Sequence, residues 1–189
     1  MIGIIGSGIA GLSAALRLRN LGYDVTIFEA HQCPGGKLDQ ISQEGYRFDL
    51  GPSLFTMPQY IDELFEIFEE NPRAHFNYLK KDSLCNYFWS DGTRFQTPAD
   101  KEKFIESFSK TFKENPKKVK QFLEDNELKY QLTAPIFLRS SLHRLKTYLN
   151  WMTVKAIMKV YRLGLFKPLY RTLKHYFKNP KSLQFFSRY

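Results

Sequence analysis

The chain opens on an apolar run, Ile2 to Ile5, which Gly6-Ser7-Gly8-Ile9-Ala10-Gly11 ends at once. A short apolar run bounded by glycine predicts a strand. Leu12, Ala15, Leu16 and Leu18 then recur as one side of a helix, and Val25-Thr26-Ile27-Phe28 reads as a second strand ending on Glu29. Ile61, Leu64, Phe65 and Phe68 mark the face of a further helix. Thr56 and Gln59 before it form a capping box, with Pro58 in the first turn. Asn86 to Phe95 reads as two strands around an Asp91-Gly92 turn. Phe104, Ile105, Phe108 and Phe112 line a helix that follows Pro98 and Asp100, and another begins at Asn115-Pro116, cap then first turn. Trp151, Val154, Met158, Tyr161 and Leu165 recur at spacings of three and four, flanked by Lys155, Lys159 and Arg162. After Pro168 the pattern resumes with Leu169, Leu173 and Tyr176 beside Arg171, Lys174 and Lys178.

Strand, glycine turn, helix, strand and terminal acid, in that order, make the dinucleotide-binding fingerprint. Gly6 permits the tight turn, Gly8 lets backbone approach a diphosphate, and Gly11 lets helix and strand pack closely. The helix N-terminus turns free N–H groups and a partial positive charge toward phosphate. Glu29 follows Gly11 by 18 residues and can accept hydrogen bonds from a ribose diol. Gly6, Ser7, Gly8, Ala10, Gly11 and Glu29 are therefore candidate cofactor-binding residues. The fold class expected is α/β: a Rossmann-like dinucleotide-binding βαβ start with an incomplete sheet, then an α+β substrate domain with basic amphipathic helices.

Two further segments narrow the cofactor. Cys33-Pro34-Gly35-Gly36-Lys37 places a glycine doublet and a cation soon after the acid, which a generic NAD site does not need. This resembles the FAD-binding oxidoreductases that include amine oxidases and carotenoid desaturases. There the doublet lets a loop lie over the cofactor, with a basic residue, usually Arg, near the phosphates. Lys37 is a point charge without Arg's fork geometry. Phe48-Asp49-Leu50-Gly51-Pro52-Ser53-Leu54-Phe55-Thr56-Met57-Pro58 is similar to a stretch of phytoene-desaturase-type enzymes that passes close to the isoalloxazine ring. The resemblance puts Gly35, Gly36, Lys37, Gly51, Pro52 and Ser53 among the residues that contact FAD. It is strongest over residues 1–58 and softer through 59–189, which corresponds to part of the substrate domain. A complete dinucleotide fold has five or six strands, and the pattern supplies only the first βα unit and its second strand. The sequence is thus expected to be the N-terminal part of a longer protein, or half of a split gene, with the C-terminal parts of both domains elsewhere.

Charge divides the chain. All 19 acidic residues fall within residues 1–127, whereas residues 128–189 carry 13 of the 28 Lys and Arg, 12 aromatics and no acid. Basic amphipathic helices with interfacial aromatics suit an anionic membrane surface. An apolar stripe is otherwise a core face, and basic residues among aromatics also suit RNA or single-stranded DNA. The absence of acid favours the membrane surface, and nucleic acid is not expected as a partner. No run reaches the roughly 18 apolar residues of a spanning helix. Two scattered cysteines and four scattered histidines give no metal spacing and no disulfide framework, so a cytoplasmic, peripherally membrane-associated protein is expected.

The resemblance implies FAD-dependent desaturation of a hydrophobic polyene such as phytoene or a C30 analogue. A hydride would leave an allylic CH2 for the flavin and a proton would leave the neighbouring carbon. Such chemistry needs an apolar tunnel and orientation more than a polar triad. No catalytic residue and no electron acceptor can be named from the sequence. The alternatives are another flavin oxidoreductase (a carotenoid ketolase or oxidase, a retinol-saturase-like enzyme or an amine oxidase), or an inactive truncated product.

Overall fold

The computed structural model describes residues 1–52, 54–158 and 167–188. They form two compact units, Met1–Leu79 and Lys80–Tyr189. The boundary expected after Pro58 falls inside the first unit.

In the first unit β1 (Ile2–Ile5) pairs in parallel with β2 (Val25–Phe28), and α1 (Ile9–Asn20) makes the crossover. The register pairs Ile2 with Val25 and Ile5 with Phe28, and the Gly6 N–H donates to the Phe28 carbonyl at 2.7 Å. The residues just past each strand are thereby set side by side. β3 (Gln40–Gln43) and β4 (Tyr46–Asp49) form an antiparallel hairpin. Its two turn residues, Glu44 and Gly45, both have positive φ, as a tight two-residue hairpin requires. Helices α2 (Gln59–Glu66) and α3 (Pro72–His75) follow.

Here the structure corrects the expected cap. Pro58, not Thr56, is the N-cap of α2, no side chain bonds to its first turn, and Phe68 lies past its last residue. Met57, at φ 55°, is in the left-handed region. That turn separates Thr56 from the helix, so its hydroxyl does not reach the N–H groups that a capping box serves.

The second unit begins with the antiparallel pair β5 (Ser83–Phe88) and β6 (Arg94–Pro98) around the Asp91-Gly92 turn. Helix α4 (Lys101–Phe112) is capped by Asp100, whose side chain accepts from the Lys103 N–H. Helix α5 (Pro116–Phe137) is capped in the same way by Asn115. Then come α6 (Leu145–Tyr148), α7 (Trp151–Met158), α8 (Leu169–Tyr176) and α9 (Pro180–Phe186), the last capped by Asn179. Phe95, Phe104, Phe108, Phe112, Phe122, Leu173, Phe177 and Phe185 meet in one aromatic core. Phe108 packs its ring 4.6 Å from Phe112 and 5.2 Å from both Phe104 and Phe185, centroid to centroid. The contact with Phe112 is tilted, that with Phe185 edge-on and that with Phe104 stacked, and edge-on and offset-stacked pairs both suit the quadrupole of the rings.

The two halves of the basic segment end differently. On α8, Leu173 is fully buried in this core and Tyr176 packs partly buried against it, while Leu169 stays exposed. On α7, Trp151, Val154 and Met158 stay exposed. Tyr161, Leu165, Lys159 and Arg162 lie outside the described residues. No helix among the described residues is long and apolar enough to cross a membrane.

Candidate functional site

The residues that end the two parallel strands meet directly. One oxygen of Glu29 accepts both the Ser7 backbone N–H, at 2.7 Å, and the Ser7 hydroxyl, at 2.6 Å. Its other oxygen accepts the His31 N–H at 2.9 Å. These donors, led by the Ser7 hydroxyl and then the His31 N–H, pull the Glu29 carboxyl down from 4.5 to about 2. Glu29 is thus ionised at neutral pH and held in one orientation at the mouth of the glycine turn.

Helix α1 starts from N-cap Gly8 with no side chain bonded to its first turn and no acid there. Its leading N–H groups, from Ile9, Ala10 and Gly11, have no intrahelical partner and face outward with the positive end of the helix dipole. Gly11 is required for a local reason: a Cβ there would lie 2.0 Å from the Gly6 carbonyl oxygen.

The glycine doublet lies against this turn. The Gly35 N–H donates to the Ser7 carbonyl at 3.0 Å, and Gly8 and Gly35 form an isolated parallel bridge. A Cβ on Gly36 would come within 3.0 Å of the Gly8 Cα. Gly51 approaches the same loop, where a Cβ would meet the Lys37 carbonyl oxygen at 2.3 Å. Three sequence segments, Gly6–Gly11, Gly35–Lys37 and Gly51–Pro52, are thus stacked backbone on backbone. Gly51 and Pro52 also line a cavity of about 510 Å3 with Cys33, Pro34, Arg47 and Asp49. The Lys37 side chain is exposed and makes no hydrogen bond or ion pair with the described residues. Ser53 lies outside the described residues.

Of the candidate residues, Gly6, Ser7, Gly8, Ala10, Gly11, Glu29, Gly35, Gly36, Lys37, Gly51 and Pro52 share this one cluster. Sequence reasoning missed three features: the Ser7 hydroxyl as a partner of Glu29, the His31 N–H, and the lining role of Cys33, Arg47 and Asp49. The Arg47–Asp49 ion pair, 3.0 Å long, had a faint signal in opposite charges two apart on one strand face. Among the described residues no cluster of His, Cys, Asp or Glu could hold a metal ion.

An uncapped helix start, a carboxylate at the strand end and glycines packed too closely for any side chain together form an anion-accepting turn with a hydroxyl acceptor beside it. Those parts fit a dinucleotide. Residues 4–70 match the NAD(P)-binding Rossmann-like domain. The chain is 48% identical over 186 residues to the 1-hydroxycarotenoid 3,4-desaturase of Flavobacterium sp. (strain P99-3), covering 98% of this chain and 38% of that protein. The chain is a relative of the carotenoid desaturases. It is 31% identical over 154 residues to the phytoene desaturase (neurosporene-forming) of Cereibacter sphaeroides, covering 82% of this chain and 29% of that one. It is 27% identical over 183 residues to the 4,4'-diapophytoene desaturase (4,4'-diaponeurosporene-forming) of Staphylococcus haemolyticus, covering 95% and 35%. This carotenoid desaturase relative spans less than two-fifths of the length of these proteins.

Proposed function

We propose that this chain supplies the FAD-binding turn and part of the substrate domain of a carotenoid desaturase-type oxidoreductase. The observation that carries the reading is the stack of three glycine segments against the start of α1, with Glu29 fixed beside it. The N–H groups at the start of α1 would hold the diphosphate, with Lys37 adding positive charge nearby. Glu29 would accept a ribose hydroxyl. Gly51 and Pro52, with Ser53 after them, would line the flavin side. Bound there, FAD supplies a hydride acceptor for a C–H bond of a polyene. Binding and orientation in an apolar channel are then the work of the protein.

The substrate proposed is a hydrophobic isoprenoid, as the names of the relatives suggest for this chain. The activity proposed is that of the whole protein, since the chain spans less than two-fifths of the length of its relatives. An anionic membrane surface is the proposed setting. It is supported by the acid-free basic segment and by Leu145, Leu149 and Trp151, which are 81%, 82% and 69% exposed.

The test has two arms. The purified chain is incubated with FAD and desalted, and released cofactor is identified by chromatography; retained FAD supports the reading, and a colourless chain that ignores FAD and ADP overturns it. The gene with its genomic neighbours is then expressed in cells that make phytoene. New conjugated double bonds in the extracted polyenes support desaturation, while oxygenated products point to another oxidoreductase of the superfamily.

A further inference from the structure

We infer that Phe55 is a positioning residue, the ring by which an aromatic clamp holds the Gly51–Pro52 segment in place for a flavin. The inference rests on the reading of that segment as the flavin side of an FAD site. On its leading side the segment is fixed by backbone alone. The Leu50 N–H donates to the Asp39 carbonyl at 2.8 Å, and a Cβ on Gly51 would meet the Lys37 carbonyl oxygen at 2.3 Å. On its trailing side stands Phe55. Its ring centroid lies 5.3 Å from that of Phe76 and 5.3 Å from that of Tyr78, edge-on to both. Phe76 and Tyr78 are themselves 6.2 Å apart, so the three rings close on one another.

Charge holds the clamp. The Tyr78 hydroxyl donates to one Asp62 carboxylate oxygen at 2.7 Å, and Arg73 pairs with the other. The Arg73 guanidinium also lies 4.2 Å from the centre of the Tyr78 ring and donates to the Phe76 carbonyl at 3.2 Å. Asp62 is on α2 and Arg73 on α3, so both helices after the segment fix the two rings that grip Phe55. No core does this work instead, since Ala15 is the only buried apolar residue among the described residues of the first unit. Three Cα steps separate Pro52 from Phe55, about 11 Å at full extension. A ring anchored at position 55 therefore limits how far Pro52 strays from the cavity it lines. Without that ring the trailing end is loose, and a ligand touching the segment must order it on binding, which lowers affinity. ADP ends at the diphosphate and is spared this cost.

The test is binding of FAD and of ADP to the full chain by isothermal titration calorimetry, with the ratio of the two affinities as the readout. Phe55→Ala is expected to weaken FAD about tenfold and to change ADP by less than about twofold. Tyr78→Phe keeps the ring and removes its bond to Asp62, so a smaller loss for FAD alone, about threefold, is expected. Phe55→Tyr is expected to bind both as the wild type does, because the half-exposed ring leaves its added hydroxyl room in solvent. A purely structural role for Phe55 would lower the melting temperature and leave the ratio of FAD to ADP affinity unchanged. That unchanged ratio in folded Phe55→Ala, or in Tyr78→Phe should the alanine variant not fold, overturns the proposal. A wild-type chain that binds FAD no more tightly than ADP also overturns it while leaving the nucleotide turn intact. A wild-type chain that binds neither overturns both readings.

Discussion

Gly36 sits so close to Gly8 that a Cβ on the former would come within 3.0 Å of the Cα of the latter. The neighbour is backbone, so it cannot swing aside as a flexible side chain would. Gly36 also has φ +62°, a region where side chains are strained. Gly22 provides the comparison, with φ +87° and nothing within 4 Å of an added methyl. Gly22→Ala should cost only the backbone strain, about 1 kcal/mol. Gly36→Ala should cost roughly 2–3 kcal/mol, strain and collision together. Urea denaturation of both variants checks the order. ADP titration should show loss of binding in Gly36→Ala alone, because only that change pushes on the turn before α1.

The Glu29 carboxyl gives a prediction in acid. Its folded value, about 2, lies below its ordinary 4.5, with the Ser7 hydroxyl the largest cause. A carboxyl lowered on folding contributes stability above its unfolded value, and that contribution fades as pH falls through the folded one. The loss should therefore fall between about 4.5 and 2. Carbon-detected NMR titration of the glutamate carboxyls should find one resonance still ionised well below the others. In Ser7→Ala that resonance should move up toward the ordinary range, and a resonance that stays put would remove the hydroxyl as its main cause.

Local signals were legible. The strands β1 and β2, the Asp91-Gly92 turn and the Asp100 and Asn115 caps each depend on residues within four positions of one another. The close packing of Gly8, Gly36 and Gly51 was legible for a related reason, since glycine is required wherever backbone meets backbone. Nonlocal relationships were not. Thr56 had every feature of a cap, but the left-handed Met57 next to it redirected the chain. The stripes on α7 and α8 looked alike in sequence, while Leu173 enters the aromatic core and Trp151 stays in solvent. Periodicity identifies a face and says nothing of what covers it.

Glu114 is a case that no pattern announced. It is buried at the end of α4, and its carboxylate accepts the N–H groups of Lys178 and Asn179 at 2.9 and 2.8 Å. Those donors precede α9, so one side chain ties the start of the last helix to the end of α4. Glu114→Ala would leave both N–H groups without their acceptor inside the fold. The expected cost is roughly 2–4 kcal/mol, with Glu114→Gln losing less because it keeps one oxygen. Thermal melts rank the two variants; equal melting temperatures would show that water replaces the carboxylate.

The exposed side chains Leu145, Leu149 and Trp151 give the last prediction. They neighbour Arg144 in an acid-free segment, so apolar anchors and positive charge occur together. Each cation near an anionic bilayer contributes about 1 kcal/mol, and salt screens that attraction over about 10 Å at 0.1 M. Apolar insertion is not screened. The wild-type chain should therefore sediment with phosphatidylglycerol vesicles at low salt, bind neutral phosphatidylcholine vesicles weakly, and release only partly as salt rises. Leu149→Glu with Trp151→Glu should abolish the salt-resistant part, because it buries two charges where anchors were. The fold should survive, since neither side chain belongs to the aromatic core. Sedimentation that is complete in the double variant, or absent in the wild type, would mean that these side chains pack against polypeptide and not lipid.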